Sequence, residues 1–215
     1  MKTIPPDHYV NTYCLETQFS GTSVMDKLWE YISNAKENPE PHKARLAGNI
    51  FSSLILIDPD NWFFDNVCLP TIRDYKEHFG KSSAYWSQSV FKNNVHYVLN
   101  SFWVNFQKQH EFNPIHNHNG LFSFVIFMKI PYDFREQHEI PFVRDSNAPS
   151  AGNFQFMHID VFGKLRPYSY KLDPSCEGLM LFFPAEINHM VYPFYNCEEE
   201  RITISGNIVY DRQRA

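Results

Sequence analysis

The chain has no Cys-x-x-Cys pair, no excess of basic charge, and no apolar run approaching the ~18 residues of a membrane helix. Each absence removes a class of protein. Its 4 cysteines (Cys14, Cys68, Cys176 and Cys197) are scattered. They indicate neither a zinc knuckle nor a disulfide framework, so a reducing compartment is expected. A formal charge of -5, from 19 Lys+Arg against 24 Asp+Glu, argues against a nucleic-acid backbone as the main partner. Met1 to Asp7 lack an apolar signal core, so a soluble cytoplasmic protein with no membrane partner is expected. G-x-S-x-G, the P-loop and G-x-G-x-x-G are missing too, and with them the commonest hydrolase, phosphate and dinucleotide sites.

What the chain has is aromatic weight, 20 Phe and 12 Tyr in 215 residues. That favours packed strands over a helical bundle, and the length suits one domain with a sizeable core. Helical spacing is confined to the first half. Ser23-Val24-Met25-Asp26 has the shape of a capping box, and Val24, Leu28, Tyr31 and Ile32 predict a helix over about 23–36. Ile50–Ile57 fits either state. Asp58-Pro59-Asp60 opens a second helix whose stripe runs from Phe63 to Phe79; Pro70 should kink or divide it, and Gly80 should cap it. Residues 1–94 thus read as a lead-in and helical scaffold.

From residue 95 the texture changes to eight short β-type runs. They are Val95–Phe106, Ile115–Asn119, Phe122–Ile130, Asn153–Val161, Tyr168–Leu172, Leu179–Phe183, His189–Phe194 and Arg201–Tyr210. Turn-formers separate most of them. The predicted fold is mainly β with N-terminal helices: a double-stranded β-helix, or cupin-like jelly roll, over 95–210. Pro131 to Gly152 reads as a long polar loop, a candidate lid.

The chemistry centres on Asn113-Pro114-Ile115-His116-Asn117-His118-Asn119-Gly120. His116 and His118 flank one residue at a strand, so both imidazoles fall on one face. Imidazole is the commonest transition-metal ligand, and His189, after Pro184, is the best third donor. In a jelly roll the second and seventh strands are neighbours, which brings the three rings together. His158-Ile159-Asp160 is a rival, a literal His-x-Asp. Only two runs lie between it and His189, where the architecture needs four, so it stands second.

From about Ser101 to Tyr210 the sequence resembles a family of iron(II)/2-oxoglutarate-dependent oxygenases found in bacteria and marine phages. The matching pieces are Asn113-Pro114-x-His116-x-His118-x-Gly120, the run Phe122 to Pro131, Gly178 to Pro184 leading to His189, and Glu200 to Asn207. The resemblance implies a double-stranded β-helix, Fe(II), and 2-oxoglutarate converted to succinate and carbon dioxide as a substrate is hydroxylated. It departs at one point: most enzymes of the wider superfamily carry a carboxylate where this chain has His118. It also places an arginine for the far carboxylate of 2-oxoglutarate at Arg201, whose fork matches a carboxylate, with Thr203 two residues on. Lys129 is a rival cation, and Ser123 and Asn105 are candidate hydrogen-bond partners; all three also suit purely structural roles. The substrate, a small molecule or a peptide, and a homodimer stay open. Two competing readings remain: a cupin-type three-histidine dioxygenase without 2-oxoglutarate, and a non-enzymatic jelly-roll binding module.

Overall fold

The computed structural model describes residues 2–3, 14–79, 96–160 and 162–211. Gly80, Val95, Val161 and most of the lead-in, all given roles above, lie outside the described residues. All eight expected β runs form strands. They are β4 (Tyr97–Gln107), β5 (Asn113–His116), β6 (Phe122–Lys129), β7 (Phe154–Ile159), β8 (Leu165–Tyr170), β9 (Leu179–Pro184), β10 (His189–Val191) and β11 (Arg201–Tyr210). Three shorter ones precede them: β1 (Lys2–Thr3), β2 (Leu15–Gln18) and β3 (Ser52–Ile55), the last settling the ambiguous stretch.

Two sheets result, one ordered β1-β2-β9-β6-β11-β4-β3 and the other β5-β10-β7-β8. All pairings are antiparallel, and the second and seventh runs are neighbours, as a jelly roll requires. Helix α1 (Ser23–Glu37) and helix α2 (Leu69–Phe79) pack on the outer face of the large sheet. Their Leu28, Tyr31, Ile72 and Tyr75 share one core with Phe102 and Val104 of β4, Phe122 and Phe124 of β6, and Ile202 and Ile204 of β11. Val125 and Phe127 of β6 face the other way, into a second core with Phe154, Phe156, Leu181 and Phe183. A strand buried on both faces has no polar side to show, which is why β6 reads as an unbroken apolar run from Phe124 to Met128.

Three local expectations are corrected. The cap of α1 is Thr22, whose hydroxyl donates to the Phe19 carbonyl at 2.6 Å, so Ser23 to Asp26 form no capping box. The second helix is broken into a 3₁₀ turn at Pro59–Asn61, a π segment at Phe64–Cys68, and α2. Pro70 has no N–H to give, and the wider π turn just before it is one way a chain absorbs that loss. Asp58 takes over as the local anchor, accepting from the backbone N–H of Phe63 at 2.8 Å and of Phe64 at 2.9 Å, and from the Tyr31 hydroxyl at 2.9 Å. Finally, 131–152 is not a bare loop: it holds α3 (Phe134–Glu139) and α4 (Pro141–Arg144). Gln137 ties it down by a reciprocal pair of 2.8 Å bonds with the backbone of Tyr195.

Gly206 marks a close approach between β11 and its neighbours. A Cβ there would lie 2.5 Å from Phe124 Cζ and 2.9 Å from the Ser101 carbonyl oxygen, between two strands that cannot both retreat. Gly206→Ala is therefore expected to destabilise the fold by ~1–3 kcal/mol, the usual cost of overpacking. Thermal denaturation of the two proteins side by side checks this; an unchanged melting temperature would show that β6 yields freely.

Candidate active site

Between the sheets lies a cavity of about 180 Å³. Its walls follow from side-chain alternation on two paired strands. The cross-strand pairs Arg201–Gln107, Thr203–Asn105 and Ser205–Trp103 all face the cavity, while the residues between them turn to the helices. Beside this polar ladder, on β6 and β9 of the same sheet, stand Val125, Phe127 and Phe183, and Phe154 faces the cavity from β7 of the other sheet. A cavity of this size suits a small molecule, being below the ~300 Å³ at which drug-sized ligand pockets begin.

The three histidines converge at this cavity. His189 opens β10 directly opposite His116 at the end of β5, while His118, just beyond that strand, is held by its backbone N–H to the Ala185 carbonyl at 2.8 Å. Ring centroids are 4.3 Å apart for His116 and His189, 5.0 Å for His118 and His189, and 5.1 Å for His116 and His118. One ring nitrogen from each lies within 4.8 Å of the other two, a grouping that can hold a metal ion. The chemistry of the donors fits that use. His116 Nδ1 faces the Pro114 carbonyl at 2.7 Å and His189 Nδ1 faces the Ile187 carbonyl at 3.0 Å. A nitrogen facing a carbonyl carries the hydrogen, so Nε2 of each ring keeps its lone pair free. Burial lowers the pKa of all three, His118 to about 4 and His189 well below the ordinary value, with further repulsion among the rings for these two. The imidazoles are neutral, the form a metal needs.

Arg201 is 1% exposed, and among the described residues no carboxylate pairs with it. Its five donors go to neutral oxygens. Nε and Nη2 reach Gln107 Oε1 at 3.2 and 2.6 Å, Nη2 also the Tyr192 carbonyl at 3.0 Å, and Nη1 the Tyr132 hydroxyl and the Gly152 carbonyl at 3.2 Å. Thr203 lines the cavity, and Asn105 is held between Ser53 Oγ at 2.7 Å and Thr203 Oγ1 at 3.5 Å. Two expected residues do not reach the cavity. Lys129, at the end of β6, turns outward to Glu199 at 2.6 Å. Ser123, at the other end of that strand, spends its hydroxyl on Asn207 at 2.7 Å.

Asp160 of the rival pair is the acceptor of a turn, taking Phe162 N, Lys164 N and Arg166 Nε, each at 2.9 Å, which holds its carboxyl below the ordinary range. The segment 131–152 contributes no residue to the cavity lining; its ends, Tyr132 and Gly152, instead grip Arg201. Sequence reasoning missed Gln107, Trp103 and the stretch Leu46 to Ile50, which closes one side. Gly48 carried a faint signal: a Cβ there would sit 2.0 Å from Asn113 Oδ1.

A jelly roll with a histidine cluster and a buried arginine in its cavity defines the class. Residues 101–207 match the family model described as "Putative 2OG-Fe(II) oxygenase". The chain belongs to the iron(II)/2-oxoglutarate-dependent oxygenases, and is an enzyme of that family using Fe(II) and 2-oxoglutarate. Its fold is similar to that of a prolyl-4-hydroxylase from Pseudomonas putida, at 14% identity and TM-score 0.53 over 91% of this chain and 92% of that one. It is likewise similar to a prolyl hydroxylase from Trichoplax adhaerens, solved with a hypoxia inducible factor peptide fragment, at 12% identity and TM-score 0.55 over 95% of this chain and 86% of that one. No curated protein sequence matches significantly.

The neutral histidines also predict a pH response of the metal-free protein. Their folded pKa values lie below the unfolded one near 6.5, so unfolding takes up protons on the acid side. Stability should be fully present above about pH 6.5 and fall as pH drops toward about 4, by up to ~1.4 kcal/mol per pH unit for each histidine still neutral. Denaturant midpoints of apoprotein across this window check it, against His116→Ala, whose slope should be shallower.

Proposed function

We propose that His116, His118 and His189 hold the iron and that Arg201 and Thr203 receive the far carboxylate of 2-oxoglutarate. One observation carries this reading: a single small cavity has three neutral imidazoles converging on it and a buried guanidinium without a carboxylate. The bound iron and keto acid would supply the oxidising chemistry, in which 2-oxoglutarate, dioxygen and a substrate C–H give succinate, carbon dioxide and the hydroxylated substrate, one oxygen atom going to each of succinate and product. The chain's own part is binding and placement. Gln107 Oε1 already accepts from Nε and Nη2 of Arg201, the fork a carboxylate would use, so it is a stand-in that the co-substrate displaces. Asn105 donates to Thr203 Oγ1, which leaves the threonine proton free to point at the same carboxylate. Phe154 stacks on His189 at 5.6 Å and Phe183 meets it edge-on at 5.1 Å, fixing the ring and keeping water out. The peptide bound by the Trichoplax protein makes a polypeptide one substrate class to assay first.

Anaerobic titration with Fe(II) and 2-oxoglutarate tests the reading through the visible metal-to-ligand charge-transfer band. The band is expected in the wild type and absent in His116→Ala and His189→Ala. Arg201→Met should raise the 2-oxoglutarate concentration needed by tenfold or more, matching the ~1.5–3 kcal/mol of a charge-assisted bond, while iron still binds. An unchanged titration in Arg201→Met would remove that residue from the site.

A further inference from the structure

The cavity is poor in negative charge. Among the described residues that line it none is Asp or Glu, and the one fixed cation is Arg201. The histidines are neutral, so no protein charge offsets a divalent ion among them. On the assignment above, the sum with co-substrate bound is two positive charges from iron, two negative from 2-oxoglutarate and one positive from Arg201. The remainder is +1. A carboxylate in place of His118 would have made it zero.

That surplus sits where it counts. The metal end is walled by Phe154 and Phe183, which pack on His189, and in such surroundings an unbalanced charge attracts an anion far more strongly than it would in water. Asn117 lines the same end between the two histidines, and its amide can donate to an incoming oxygen. We infer that the substrate enters the metal end as an anion, presenting a carboxylate that supplies the negative charge the three histidines lack. This rests on the iron and Arg201 assignments just made. It sets a substrate class on electrostatic grounds: an acid, or a peptide offering a C-terminal or side-chain carboxylate, is preferred over the amide of the same shape.

Acetate and acetamide, alike in size and different in charge, are the probes. Each is titrated at constant ionic strength into the anaerobic protein carrying Fe(II) and 2-oxoglutarate, and the charge-transfer band is followed. Acetate should shift the band saturably with an apparent affinity at least about tenfold above that of acetamide, and His118→Asp should abolish that preference. Equal responses to the two probes in the wild type would overturn the proposal, as would a preference that survives in His118→Asp. A loss of band that added 2-oxoglutarate reverses would place acetate at Arg201, and also counts against it. The wild-type comparison decides alone if His118→Asp fails to hold iron. Absence of any band with Fe(II) and 2-oxoglutarate is a separate result, and it overturns the earlier assignment itself.

Discussion

The antiparallel pairing of β10 with β5, which sets His189 opposite His116, is the constraint that the rest of the molecule serves. The two segments are 73 residues apart (189 − 116), and β5 is short and at the edge of its sheet. Neither could hold its register alone. Register comes from β7, which pairs with β10 from the other side through Phe156, Gln155 and Phe154, and from the aromatic rings that trap His189. The apolar core between the sheets thus does two things at once. It stabilises the barrel, and it desolvates the imidazoles so that they stay neutral donors.

The large sheet solves a different problem, that of carrying polar groups inside a barrel without losing its core. Strands β4 and β11 do so by alternation: Phe102, Val104, Ile202 and Ile204 bury against the helices, and their neighbours face the cavity. The helices are therefore more than scaffolding, because they give these strands an apolar side elsewhere. On the cavity side the buried polar groups of Ser53, Asn105 and Thr203 satisfy one another, which lowers the cost of holding them there.

This division explains what could be read from the residues and what could not. Strand count and order were legible because each run ends in turn-formers and the jelly roll admits few connections. The histidine trio was legible for the same reason, since counting strands put β5 beside β10 and set the His158 pair aside. Residues whose role depends on long-range placement were not. Gln107 and Trp103 sit in a run that reads as ordinary strand, and only the register with β11 turns them onto Arg201 and Ser205. Lys129 and Ser123 have the strand parity of Val125 and Phe127, yet lie at the strand ends, where neighbours claim them. The broken second helix was half legible: Pro70 announced a disruption, but a π segment depends on backbone geometry that composition does not encode.

Arg201 shows how stability and the proposed function are linked. Removing a guanidinium from water without a counter-ion costs several kcal/mol, and hydrogen bonds to neutral oxygens offset only part of this. Those oxygens come from Gln107 on β4, Tyr132 and Gly152 at the two ends of the 131–152 segment, and Tyr192 just after β10. The segment is thus a clamp on the cation from behind, and its two helices, docked through Gln137, keep the clamp shut. A charge held in this way is satisfied in geometry and unsatisfied in electrostatics. On the proposed assignment, a dianionic co-substrate at Arg201 relieves that remaining cost, so part of its affinity comes from the way the protein already holds the cation.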